Sequence, residues 1–404
     1  MLKINKYYFY YILALLPVLW PIGLTKTVFP VFGDFITTSG VIISIILTLI
    51  VCKCSKCIIF NKMNIFLMLL FIVFLLSTAI NERHMYIDYI KTFCTIYCLV
   101  NCYLYACYNG QMKLFLNSYI GIMTVFIVCA IVTQIQHPEG VAFSYYTNII
   151  GDYQSKNVVY FWGNKNYYGY NLIPFVFFVM LNRDLGTKHS KLYDFILIIL
   201  SVILIVLTGS ATSLLSMLLL LVVKFLFSTN FRDTKLLKIN ISTIVGIYFI
   251  VFLMVVVLNL HGMLVSWISS LFGKSSVLTG RDVIWHEAIE LINKGALIGY
   301  GYDSIIPHTG YYWYAHNLIL DLFIQGGLLG FLAFSLFAYT GIRTYSISTV
   351  PKTVYGTIIA FFSAMALTQL VESNIKSSPF LFLLFYILFT VRYMQMGLDD
   401  NSSG

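Results

Sequence analysis

Apolar runs of about 17 residues or more recur from one end of this chain to the other, and no other feature constrains its fold as strongly. Each is long enough to cross a hydrocarbon core about 30 Å thick. Hydrophobic residues make up 59% of the chain and charged ones only 10%, with a mean hydropathy of +0.86. Soluble domains carry about a quarter charged residues, so an ordinary globule is excluded. The pattern predicts an all-α polytopic integral membrane protein, residues 1–404 forming a single transmembrane domain. About twelve spans are expected: 7–24, 34–52, 63–80, 88–108, 114–135, 167–181, 193–207, 212–227, 239–260, 316–342, 353–372 and 377–394.

The formal charge of +9 raises the question of nucleic acid. With the N-terminus inside, however, sixteen of the 25 Lys and Arg residues fall on the cytoplasmic side. Short cytoplasmic loops hold such an excess for reasons of insertion alone. The basic charge is therefore a topology signal, both termini are expected in the cytoplasm, and no nucleic-acid partner is implied. The first run follows Lys3 and Lys6 but lacks a small-residue cleavage site, since Pro17, Trp20 and Pro21 stand there; it reads as a retained signal-anchor. Cys52, Cys54 and Cys57 lack a nearby fourth ligand for zinc and read as reduced thiols. Cys94, Cys98 and Cys102 recur every four residues and read as small packing residues on one helix face.

Polar residues concentrate in two expected outer loops, 136–166 and 261–315. Six of the seven histidines are external on this topology, which favours chemistry at that membrane face. The larger loop contains an amphipathic stretch over 282–294, with Val283, Ile284, Ile289, Leu291 and Ile292 on its apolar side. Arg281 stands at its first turn, where free backbone N–H groups and a planar guanidinium converge on an anion such as phosphate. An ion pair with Asp282 or Glu287, or a place among lipid headgroups, is the competing reading. His316 opens the tenth span beside Asn317, with Asp321 one turn further; near neutrality an imidazole can accept a proton or contact phosphate. His286 and His308 lack such company and read as structural. Tyr311, Tyr312, Trp313 and Tyr314 suit either a membrane interface or stacking on sugar rings. Gly326, Gly327 and Gly330 allow a neighbouring helix to approach closely. Gly299 and Gly301 follow a helix, so a dinucleotide fingerprint is not supported. No phosphate-binding loop, zinc-protease or serine-hydrolase motif occurs, nor a carboxylate cluster for a divalent metal in the outer loops.

Taken in order, these residues resemble the bacterial O-antigen polymerases and ligases, including the Wzy-type capsular polysaccharide polymerases. The likeness rests on Gly280–Arg281 with Trp285, Gly299 and Gly301, His316–Asn317 with Leu320, and Gly327 with Gly330. Gly163-Asn164-Lys165-Asn166 before the sixth span is similar to the family's G-N-x-N element. The resemblance implies a GT-C-like fold in the bacterial cytoplasmic membrane and a glycosyltransferase acting on a glycan carried by undecaprenyl pyrophosphate. An acceptor hydroxyl would attack the anomeric carbon and the lipid pyrophosphate would leave, with no metal, nucleotide or other cofactor. Arg281 would hold the pyrophosphate and His316 would activate the acceptor or contact the leaving group. Asn317, Tyr314, Trp313, Trp285, Asn164, Lys165 and Asn166 are the expected substrate contacts. Membrane lipids, a flippase and a chain-length regulator are the implied partners. The chain departs from the family at the hairpin between spans seven and eight, where Ala211 follows Thr208, Gly209 and Ser210 in place of an arginine. Arg83, Lys91 or Lys165 are the candidates to replace it. Polymerisation of repeat units is the favoured reading, ligation of finished glycan the second, and lipid-linked oligosaccharide transport the third.

Overall fold

The computed structural model describes residues 6–28, 30–54, 61–81, 86–147, 154–186, 190–228, 240–258, 260, 281–295, 297–304, 306–308, 311–346, 352–373 and 379–391. Every expected span contains a helix. In chain order these are α1 (Lys6–Leu19), α2 (Ile22–Val28), α3 (Pro30–Cys54), α4 (Lys62–Ile80), α5 (Tyr86–Tyr108) and α6 (Met112–Gln136). There follow α7 (Tyr167–Asp184), α8 (Lys191–Thr208), α9 (Ala211–Ser228) and α10 (Ile241–Val251), which continues as a π-helical turn over Phe252–Val257. After the loop helix α11 (Arg281–Lys294) come α12 (Leu318–Ser346), α13 (Lys352–Val371) and α14 (Pro379–Thr390). Among the described residues six helices are long and apolar enough to cross a membrane: α4, α5, α6, α8, α12 and α13. The chain is a multi-pass membrane protein. Large apolar side chains such as Ile46, Leu49, Ile72 and Val125 point outward, as a lipid-facing surface requires.

Three features differ from the sequence reading. The first expected span is two helices, α1 and α2, parted at Trp20–Pro21, because the proline ring disfavours helical backbone at the residue before it. The sequence reading assigned no strands, and the first outer loop holds two: β1 (Ala142–Thr147) and β2 (Gln154–Val159) pair antiparallel, Ala142 opposite Val159. The large loop likewise holds a short hairpin of β3 (Ile306–His308) and β4 (Tyr311–Trp313). Cys57 lies outside the described residues, as do the side chains of Cys52 and Cys54. Cys98 and Cys102 are buried on one face of α5, their sulfurs 3.9 Å apart.

α9 packs against α13 and α7, α12 against α4 and α14, and α3 against α5. At one end a partly buried ion pair joins three of these helices. Lys224 Nζ of α9 lies 2.7 Å from Asp184 Oδ2 of α7, and Thr357 of α13 bonds both groups. At the other end, which carries both hairpins and α11, a second apolar cluster forms. Ile284, Trp285 and Ala288 of α11 meet Ile319, Leu320 and Ile324 of α12, Phe252 and Val256 of the π-helical turn, and Leu370 of α13.

The glycine motifs belong to this second cluster. Gly327 (φ 61°, ψ −157°) breaks α12 in a backbone region open almost only to glycine. The carbonyls freed by the break accept from the loop after α11: Tyr300 N donates to Ile324 O at 2.7 Å and Gly301 N to Gln325 O at 3.1 Å. Leu329 N donates in turn to Leu297 O at 3.2 Å. A Cβ on Gly327 would lie 2.4 Å from the Leu297 carbonyl carbon, so only a bare α-carbon lets the strap lie in the break. Gly326 meets Phe74 of α4, which is the close helix approach expected of that pair.

Candidate functional site

α11 begins at Arg281, one residue before the stretch 282–294 of the sequence reading, with Gly295 beyond its last residue. Its arginine finds a partner far along the chain. The guanidinium reaches across to Glu372, at the end of α13, and Nη2 donates to Oε1. The second carboxylate oxygen faces His316 Nδ1 at 3.6 Å. Glu372 thus bridges the two residues that the sequence singles out, and it is the functional candidate that the sequence reading passed over. Its signal was a single carboxylate closing a twenty-residue apolar run at the same end as the large loop.

The placement of these charges is unusual for stability alone. Arg281 stands at the positive N-terminal end of α11, and Glu372 at the negative C-terminal end of α13. Each opposes the dipole of its own helix, so neither is there to stabilise it. Their side chains are only 13% and 6% exposed, which makes the pair a buried one. Burial draws Arg281 down to about 10, still charged at neutral pH. Tyr170 of α7 lies within electrostatic reach of both Arg281 and Asp321.

His316 is held by its neighbours on both sides. Trp285 Nε1 donates to Ala315 O at 2.9 Å. Asn317 accepts from Ile319 N and Leu320 N at 3.0 and 3.3 Å, capping α12, and its amide nitrogen donates to Leu370 O at 2.8 Å. Between them the His316 backbone takes a left-handed conformation (φ 51°). Non-glycine residues adopt it at a cost and chiefly where the surroundings impose it. Burial first, and then the Arg281 charge, push the imidazole down to about 3. The ring is therefore neutral near pH 7 while 27% of its side chain remains open.

Trp285 and Asn317, read as substrate contacts, are packed inside at 1% and 0% exposure, and their hydrogen bonds hold the residues on either side of His316. Tyr314 is half-buried two residues before His316. Trp313 lies in β4, and its side chain and that of His308 fall outside the described residues. His286 is exposed and pairs with Glu290 one turn away at 3.3 Å. The element Gly163–Asn166 starts α7, one turn before Tyr170. Asn164 Oδ1 accepts from Asn166 N at 3.1 Å, Asn166 Oδ1 accepts from Ser210 Oγ at 3.0 Å, and Lys165 is exposed. Ser210 also bonds Ser213, so the hairpin before α9 is tied to the start of α7 without an arginine. Of the candidate replacements, Arg83 falls outside the described residues and Lys91 pairs with Asp88 at 3.6 Å.

Residues 196–335 match a family model described as O-antigen ligase. The matched stretch takes in Arg281, His316 and both glycine motifs, while Glu372 and the element 163–166 lie outside it. The match supports the O-antigen ligase and polymerase superfamily, whose members are glycosyltransferase-like enzymes, and does not separate ligase from polymerase. No curated protein matches the chain.

Proposed function

We propose that this protein polymerises oligosaccharide repeat units carried on undecaprenyl pyrophosphate into O-antigen or capsular polysaccharide, at the outer face of the bacterial cytoplasmic membrane. The observation that carries the reading is the cluster Arg281–Glu372–His316, inside or next to a stretch that matches the O-antigen ligase description. A guanidinium has five N–H donors, so a pairing with Glu372 leaves others for the pyrophosphate. The acceptor hydroxyl attacks the anomeric carbon of the donor glycan, and the bond from that carbon to the pyrophosphate oxygen breaks. The neutral His316 takes the hydroxyl proton at Nε2 while Nδ1 faces Glu372, whose charge favours the imidazolium as it forms. Arg281 meets the negative charge that gathers on the leaving pyrophosphate, a contribution of the kind worth about 10²–10³ in rate. Lys165, Asn164 and Asn166 line the approach beside the hairpin, and Tyr314 and Trp313 contact sugar.

A second reading, transfer of finished glycan to a separate lipid or protein acceptor, is favoured by the printed description of the matching family. Reconstitution separates the two. Purified protein in liposomes receives the lipid-pyrophosphate repeat unit with EDTA and no nucleotide, alongside Arg281→Ala and His316→Ala. A ladder of products, lost in both folded variants, supports polymerisation at this site. Single transfer to an added acceptor without a ladder points to ligation. An undiminished ladder in both variants sinks the site assignment.

A further inference from the structure

We infer that Glu372 couples the two halves of the reaction, so that His316 becomes a proton acceptor only once a pyrophosphate engages Arg281. The inference rests on the lipid-pyrophosphate reading above. Glu372 divides its carboxylate between two partners: Oε1 accepts from Arg281 Nη2, and Oε2 faces His316 Nδ1 at 3.6 Å. That second gap is too long for a hydrogen bond, so the carboxylate is committed to the arginine. The two charged side chains are buried, and water and salt screen them little. The other titratable groups placed around the cluster are Tyr170 of α7, within electrostatic reach of Arg281, and Asp321 of α12, within reach of Tyr170 and of Tyr248 in α10. Tyr314 stands two residues before His316. Phenols do not titrate near pH 7, and the imidazole signal used below separates His316 from Asp321.

Charge balance decides when the imidazole can hold a proton. The guanidinium and the carboxylate cancel, so a proton on His316 leaves a buried cluster with net positive charge. Burial and the neighbouring guanidinium accordingly hold the imidazole far below its usual range. A lipid-pyrophosphate donor brings a negative charge on each phosphorus. With those against Arg281 the cluster is negative, and a proton on His316 reduces its charge instead of raising it. The helix ends point the same way. An anion relieves Arg281 at the positive end of α11, and an imidazolium relieves Glu372 at the negative end of α13. In the transfer, the acceptor O–H proton passes to His316 Nε2 and the acceptor oxygen bonds the anomeric carbon. The bond from that carbon to the pyrophosphate breaks, its electron pair going to the leaving oxygen, so the charge of the whole site is unchanged. When the lipid pyrophosphate departs, the unmasked guanidinium drives the proton from His316 to water. The donor must therefore bind before the acceptor is activated.

The test reads the imidazole directly, by NMR of the full-length protein in detergent with isotope-labelled histidine; the His316 signal is the one lost in His316→Gln. Farnesyl pyrophosphate, which has no glycan to transfer, is the probe, and farnesol is the control. The bound pyrophosphate should raise the pH midpoint of His316 from about 3 to about 5 or above, the effect of a close opposite charge, and farnesol should leave it in place. Glu372→Gln should bind farnesyl pyrophosphate several-fold more tightly, because Arg281 loses its competing carboxylate. Its midpoint should rise less, and its glycan transfer should slow tenfold or more. A merely structural Glu372 would weaken binding and turnover together, and that result would overturn the inference. A bound pyrophosphate that leaves the wild-type midpoint unmoved would also overturn it, with the transfer reading left standing. Failure of the wild type to bind farnesyl pyrophosphate at all would overturn both. If Glu372→Gln does not fold, the wild-type titration decides alone.

Discussion

Replacing Glu372 by alanine should be one of the most damaging single changes at the loop end of the bundle, for a reason that does not depend on catalysis. The carboxylate side chain is 6% exposed and that of its partner Arg281 13%. Removing one member of a buried pair leaves the other charge uncompensated, at about 3–5 kcal/mol. Here the stranded group also stands at the positive end of its own helix, which adds to the penalty. Removing both charges should be far milder: Arg281→Met with Glu372→Leu keeps the volume and leaves no orphan. The assay is urea or thermal unfolding in mild detergent, followed by tryptophan emission, since Trp285 packs in the adjoining cluster. The double variant should lose at least about 2 kcal/mol less than the sum of the two single losses, the size of coupling seen for contacting residues. Losses that simply add, or a Glu372→Ala protein within about 1 kcal/mol of the wild type, would refute the buried bridge.

His316, drawn from 6.5 to about 3, binds a proton in the unfolded chain but not in the folded one throughout that window. Its contribution to stability is therefore complete above about 6.5 and is lost as pH falls toward 3, by up to about 1.4 kcal/mol per pH unit; His316→Gln should flatten that slope in pH-dependent unfolding. Gly327→Ala should cost more than about 3 kcal/mol, because its backbone is open almost only to glycine and its Cβ would strike the Leu297 carbonyl; loss of monodisperse protein in detergent is the readout. Lys165→Ala should raise KM several-fold with kcat unchanged, an effect that fades as salt screens an exposed charge.

What the sequence made legible followed periodicity and length. Each apolar run holds helix, six of the described helices are long and apolar enough to cross a membrane, and the stretch 282–294 lies within α11. Local rules extended only so far: Trp20–Pro21 parts two helices, while Leu16–Pro17 and Ile173–Pro174 stay helical. Gly299, Gly301 and Gly327 were visible as a pattern, but the fit of a loop strand into a broken helix depends on backbone bonds between residues far apart in the chain. The site itself was half legible. Arg281 and His316 stood out because polar residues are rare here. The contact that joins them spans 91 residues from Arg281 to Glu372 and follows only from how α11 and α13 pack. Trp285 shows the opposite limit, since an aromatic residue beside a charged one suits a sugar platform and a core packing residue equally until its burial is known.

The most direct measurement of the central claim is the affinity of the protein for undecaprenyl pyrophosphate against undecaprenyl monophosphate, in wild type and in Arg281→Ala. The wild type should prefer the pyrophosphate by tenfold or more, and Arg281→Ala should lose most of that preference while binding the monophosphate about as before. An equal preference in a folded Arg281→Ala protein would contradict the placing of the leaving group at Arg281.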